Sequence, residues 1–140
     1  MKPCIFCAIA RGEAAAHVIH DSDRVMAFLD RAPLSPGHAL VIPRDHFETL
    51  DEVEEELLGP LFAVARHVSR AQQRALGADG TFTAVNTRVS QSVPHAHVHV
   101  VPRREGDGLF RAGMVWVRKR YPENEAETIA AQLRSALALT

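Results

Sequence analysis

Apolar residues recur along this chain in two rhythms. From Arg24 to Asp30 (RVMAFLD) and from His38 to Ile42 (HALVI) they form short runs bounded by polar or proline-glycine punctuation, which predicts strands. His17–His20 is a third short candidate strand, closed by the polar turn Asp21-Ser22-Asp23, and residues 32–37, with two prolines and a glycine, read as loop. Leu57, Leu61, Val64 and Val68 then recur at helical spacing and predict one long helix to about residue 75. Acidic residues crowd its start and Arg66, Arg70 and Arg74 its later turns, which complements the helix dipole, and Gly77 is placed to cap it. Pro60, inside this pattern, predicts a kink or the true start of the helix. Thr81–Val85 reads as a strand and Asn86–Pro94 as a loop. His95–Val101 alternates over seven residues, with Pro102 as its stop. Beyond a basic, glycine-rich stretch over 103–113, Met114–Val117 reads as a short strand. Glu125–Leu137 reads as an amphipathic helix with Ile129, Leu133 and Leu137 on one stripe. Strands, one helix, two strands and a tail helix make an α+β fold with an antiparallel sheet, not a βαβ alternation.

Composition narrows this picture. A chain of 140 residues, 46% apolar and 24% charged, fits one ordinary globular domain. The net charge of −1 gives no reason to expect capture of long nucleic acid or of a membrane surface. The apolar run Cys4–Ala10 is too short and too poorly flanked for a signal peptide, no run is long enough to span a membrane, and the expected location is cytoplasmic.

Eight histidines are many for this length, and three of them carry the strongest chemical signal. A strand places i, i+2 and i+4 on one face, so His95, His97 and His99 should project together, roughly 6–7 Å apart, with Ala96, Val98 and Val100 turned to the core. Such a row is either a solvated polar face or a set of nucleophiles, proton donors and acceptors working near neutral pH. A single metal on all three is disfavoured, because i and i+4 on a strand lie about 13 Å apart. Cys4 and Cys7 are the only cysteines; at C-x-x-C spacing they read as half of a zinc site, as a pair of buried thiols, or as a redox couple.

The segment His95-Ala96-His97-Val98-His99-Val100-Val101 resembles the signature of the histidine-triad (HIT) family. Cys4-Ile5-Phe6-Cys7-Ala8-Ile9 is similar to the start of its zinc-binding, Hint-like branch. Phe28-Leu29-Asp30, Pro36–His46 and Gln91-Ser92-Val93-Pro94 resemble its central blocks. The resemblance spans about residues 4–104. It implies a single histidine-triad domain over 1–140: an α+β HIT-like fold, a five-stranded antiparallel sheet with a long helix packed on it and a C-terminal helix. It implies homodimers that join two sheets, with contacts around Leu57–Leu76, where the apolar residues read equally as core.

The resemblance also implies roles. His97 would attack the α-phosphorus of a nucleotide and form a covalent nucleotidyl-histidine. His99 would hydrogen-bond the phosphate or leaving-group oxygen, and Ser92 would contact both, with Gln91 beside it. Asp30 would accept from the ribose hydroxyls, Phe28 and Ile5 would line the base slot, and Asn86 would lie on the phosphate side. For Phe28 and Ile5 a core role is the plain alternative, and for Ser92 and Gln91 ordinary loop polarity. A structural zinc ion would be held by Cys4, Cys7, His46 and His95. His38 matches a family position and is expected to pack or bond locally; His17, His20 and His67 are background. The loop before the triad departs from the family: it is shorter by a couple of residues, and Thr87-Arg88-Val89-Ser90 replaces a Gly-rich stretch. The implied function is a hydrolase or transferase cleaving at the α-phosphate of a nucleotide, with adenosine the expected base, in a phosphoramidate or dinucleoside polyphosphate. Transfer to a phosphate acceptor, or nucleotide binding without catalysis, are the alternatives.

Overall fold

The computed structural model describes residues 3–113 and 116–139. Its sheet is built from β1 (Val18–Asp21), β2 (Val25–Leu29), β3 (Ala39–Pro43), β4 (Gly80–Ala84) and β5 (Val98–Arg103), all pairs antiparallel, in the order β1-β2-β3-β5-β4. Three helices accompany it: α1 (Ile5–Ala10), α2 (Glu55–Leu76) and α3 (Glu125–Leu137). This is the expected α+β fold.

β2 and β3 are buried at every position, because the sheet is covered on both faces. Val25, Ala27, Leu29, Ala39, Val41, Val98 and Val100 face the core made with α2 and α3. The alternate residues Met26, Phe28, Leu40 and Ile42 face Phe6 and Ile9 of α1. The N-terminal run, which the hydrophobic rhythm left without an element, is therefore the helix that covers the second face. Cys4 caps it, its sulfur accepting the Cys7 N–H.

α2 lays Leu57, Leu61, Val64 and Val68 on the sheet, so its apolar stripe is spent within the chain and only Phe62 remains substantially exposed. Gly77 ends it in the left-handed conformation, as expected. Pro60 does not mark its start: the helix begins five residues earlier. The carbonyl of Glu56 that loses its partner there belongs to an exposed turn open to water. Gln72, fully buried on α2, donates to the carbonyls of Gly37 and Val100 and so ties the helix to the loop before β3.

The histidine segment departs from the expected strand. β5 begins at Val98, so only His99 of the three lies in the sheet. Extending the β3–β5 register beyond Val41–Val98 would set Ala96 opposite Pro43, which has no N–H to donate. The chain turns away instead, and Ala96 donates to the carbonyl of Phe47. Nor does Pro102 end the strand. It lies past the last β3 partner at Val100, where one side of β5 needs no ladder bond. Of the expected strand Met114–Val117, residues 114 and 115 lie outside the described residues, and Trp116 and Val117 are not in a strand. No helix among the described residues is long and apolar enough to cross a membrane.

Candidate functional site

On the α1 face a cleft of about 270 Å³ is lined by Ile5, Phe28, Asp30, Ser92, His97 and His99, among others. The turn off the sheet at residue 97 does not scatter the histidines. Ala96 and Val98 point to the α2 core, which turns His95 and His97 to the α1 side, where Phe6 packs edge-on against both rings at 5.8 and 5.2 Å.

Each ring is oriented by a bond to one of its nitrogens. His97 donates Nδ1–H to the carbonyl of His95 at 2.8 Å, which leaves a free lone pair on Nε2. Burial lowers its pKa, outweighing the opposing pull of that carbonyl, so the ring is neutral near pH 7. His99 Nδ1 lies 2.9 Å from Nε2 of His38, and on the far side of His38 the Leu34 N–H donates to Nδ1 at 3.0 Å. A nitrogen that accepts carries no proton, so neutral His38 holds its proton on Nε2 and gives it to His99 Nδ1. His99 is thereby left with Nε2–H as a donor. Burial is the main reason that His38 is pushed down to about 3 and His99 to about 4; their neighbouring cations-in-waiting and Arg118 add to it. His38 owes its position to Gly37, at φ +96°, where a side chain would collide with Leu76.

Asp30, almost fully buried, accepts from the Ala32 N–H at 2.9 Å and from Arg118 at 3.1 Å. Nothing in the hydrophobic or motif pattern singled out Arg118: it is one base in a basic segment, and only the return of residues 116–121 across the cleft brings it there. Gln91 does not line the cleft. Its amide braces the preceding loop, donating to the carbonyls of Glu48 and Val93 and accepting from the Arg88 N–H. Asn86 lines a neighbouring cavity and donates to the Ser90 carbonyl. In the short loop Arg88 and Ser90 both adopt left-handed φ, 68° and 62°, a conformation that costs a non-glycine residue about 1–2 kcal/mol. The loop thus keeps glycine-like turns without glycine. The N–H groups of Arg88 and Val89 are spent inside it, on Gln91 and Thr87.

A second cluster lies at the start of α1. One ligand atom from each of Cys4, Cys7, His46 and His95 falls within 4.8 Å of the others. His95 Nδ1 is 3.4 and 3.5 Å from the two sulfurs, and His46 Nδ1 is 3.3 Å from Cys7 Sγ. Zn–S and Zn–N bonds of about 2.3 and 2.0 Å in a tetrahedron give an S···N edge of about 3.5 Å, so the set fits a closed Cys₂His₂ site. His95 donates Nε2–H to the Pro43 carbonyl at 2.8 Å, which aims the Nδ1 lone pair at the sulfurs. By contrast His38 and His99, which with Asp30 form the other compact polar cluster among the described residues, spend their facing nitrogens on each other.

Comparison with known proteins places this geometry. The HIT domain family matches residues 11–106. A Zn-bound histidine triad family protein from Mycobacterium smegmatis superposes with a TM-score of 0.84 at 37% identity, over 97% of this chain and 94% of that one. A hypothetical histidine triad nucleotide-binding protein from Sulfolobus tokodaii gives 0.86 at 33%, over 97% and 93%. The adenylylsulfatase HINT3 of Arabidopsis thaliana is 31% identical over 136 residues, 96% of this chain and 69% of that protein.

Proposed function

Because the chain belongs to the HIT domain family, we propose that it cleaves nucleotide conjugates at the α-phosphate through a covalent intermediate on His97. The observation that carries this reading is the bond from His97 Nδ1–H to the His95 carbonyl, which leaves Nε2 of a neutral imidazole unencumbered at the cleft. In this scheme the Nε2 lone pair attacks the α-phosphorus. The P–N or P–O bond to the leaving group breaks, and its electron pair departs with that group, a leaving amine taking up a proton from solvent as it goes. His99 Nε2–H and the Ser92 hydroxyl donate hydrogen bonds to the oxygens where charge develops. Water then attacks the phosphorus and gives up a proton to solvent, the P–N bond to His97 breaks, and the nucleoside monophosphate leaves with the imidazole regenerated. Phe28 and Ile5 offer apolar walls for the base. Asp30, which already accepts from Arg118, offers its carboxylate to the ribose hydroxyls, the logic of the acidic residue in dinucleotide folds. Asn86 and Gln91 act one step removed, by holding the loop that carries Ser92.

Cys4, Cys7, His46 and His95 would hold the zinc ion, which supplies a structural cross-link and no step of the reaction. Those residues tie α1, and with it Ile5 and Phe6, to the loop before His97. The reducing cytoplasm is the setting that keeps both thiols available as ligands. Adenosine is the favoured base. A homodimer is part of the proposal: β4 is an open sheet edge, and Phe62 on α2 is exposed beside it. Sedimentation should give twice the chain mass, and a monomer at micromolar concentration removes that part.

The test of the reaction is a turnover screen of adenosine phosphoramidates, dinucleoside polyphosphates and adenylyl sulfate, with mass spectrometry of acid-quenched enzyme. Turnover with a nucleotide adduct on His97 supports the reading, and binding without turnover of any of them overturns it.

A further inference from the structure

The nucleotide cleft shares three of its walls, Ser92, His99 and Arg118, with a second cavity of about 480 Å³. The far wall of that cavity is aromatic, formed by Phe82 of β4 and by Trp116. Phe82 is seated on Leu34, Val101 and Leu109. Trp116 meets it edge-on at 5.9 Å, and Phe110 contacts both rings, at 4.8 and 5.2 Å. Arg103 lies 4.6 Å over the outer ring of this set and is itself clamped by two bonds to Asp107. The indole N–H of Trp116 is donated to the Leu109 carbonyl, which fixes the ring plane.

An aromatic cluster formed only to fill a core would hide its faces. Here Trp116 is 41% and Phe110 56% exposed, although Arg104 on one side is bonded to the Gly77 and Leu76 carbonyls and Arg118 on the other to Asp30. Exposed rings held rigidly are suited to stacking, because little conformational freedom is left to lose on binding. Their place is also informative. The cavity begins where the cleft presents His99 and Ser92, the two donors proposed to meet the departing group. Whatever is bonded to the phosphorus on that side extends toward Phe82 and Trp116.

We propose that this second cavity is the leaving-group subsite and that it selects a planar aromatic or heteroaromatic leaving group over an aliphatic one. The inference rests on the reaction proposed above and adds the substrate class. Trp116 and Phe82 supply the stacking walls. Arg118, shared by both cavities and paired with Asp30 at 3.1 Å, stands between nucleoside and leaving group, where the phosphate charge must lie.

Trp116 is the only tryptophan of the chain, so its fluorescence reports on this wall in the unaltered protein. Two uncleavable probes, adenosine 5′-sulfamates carrying an N-aryl or an N-cyclohexyl group, should bind in the cleft, and only the aryl probe should quench the emission beyond the effect of adenosine monophosphate. In parallel, the ratio of kcat/KM for an aryl over an alkyl adenosine phosphoramidate should fall about tenfold in Trp116→Leu and in Phe82→Leu, within what one aromatic–base stack is worth. That ratio, taken on one enzyme sample, does not depend on how much of it is folded. Equal quenching by both probes, or a ratio within twofold of wild type in both variants, overturns the subsite while leaving α-phosphate cleavage intact. A change in sedimentation without a change in ratio marks the patch as a contact between chains and likewise overturns it. If the unaltered protein turns over neither amidate, the reaction fails and the subsite with it.

Discussion

Nε2 of His38 lies 2.9 Å from Nδ1 of His99, and that contact, with the Leu34 N–H behind it, fixes the protonation of two rings at once. His99 reaches the cleft as a hydrogen-bond donor because His38, buried and out of reach of the cleft, is held in one tautomer by the backbone. Replacing His38 with Leu should therefore do two separable things. It leaves the buried Leu34 N–H without an acceptor, which should cost about 1–3 kcal/mol of stability in denaturant unfolding. It also frees the His99 tautomer, which should lower kcat more than it raises KM.

Removal of the proposed nucleophile separates binding from chemistry. His97→Ala should reduce turnover by a factor on the order of 10⁴ or more while nucleotide affinity changes little. The quenched-enzyme adduct should vanish from the mass spectrum. Retained turnover would assign the nucleophile to another group.

The cluster of Cys4, Cys7, His46 and His95 makes a compositional prediction. Elemental analysis of the native protein should find about one zinc per chain. Cys7→Ser, or chelation, should lower the unfolding temperature and also weaken nucleotide binding, because α1 carries Ile5 and Phe6 into the cleft. Metal-free native protein of undiminished stability would exclude the site.

Asp30 should discriminate by sugar. In the proposed role Asp30→Asn would lose charge-assisted acceptance from the ribose hydroxyls, about 1.5–3 kcal/mol, which corresponds to a ten- to hundredfold rise in KM for a ribonucleotide conjugate. The 2′,3′-dideoxy analogue should show little change between wild type and variant. Equal losses on both substrates would reduce Asp30 to an anchor for Arg118.

Acid should unfold the protein earlier than its carboxylates alone require. His38, pushed down to about 3, and His99, to about 4, stay neutral in the fold, while in the unfolded chain they protonate near 6.5. Between those values the unfolded state binds more protons, so stability is undiminished above about pH 6.5 and falls as pH drops toward 4. Each unit of difference for fully buried His38 is worth about 1.4 kcal/mol. Denaturant midpoints from pH 7 to pH 4 measure this, and His38→Leu should flatten the slope. Asp30, Arg118 and His97 also face this pair, so the slope belongs to the group as a whole.

Much of this was legible in the chain itself. Local rhythm determined β2, β3, α2 and α3, because core strands and amphipathic helices write their burial into spacing. Motif spacing singled out Cys4, Cys7 and the three histidines, which the fold gathers at the cleft and at the cluster beside it. Tertiary structure decided what each of them faces. His95 and His97 lie on the cleft side not because a strand runs through them, but because Ala96 and Val98 are drawn into the α2 core where the ladder stops opposite Pro43. His95 meets two thiols 91 and 88 residues away, and Arg118 meets Asp30 across 88. Alternation fixes which side of a backbone a residue takes; only the closing of distant segments on one another supplies the partner that sets its tautomer, its charge and its chemistry.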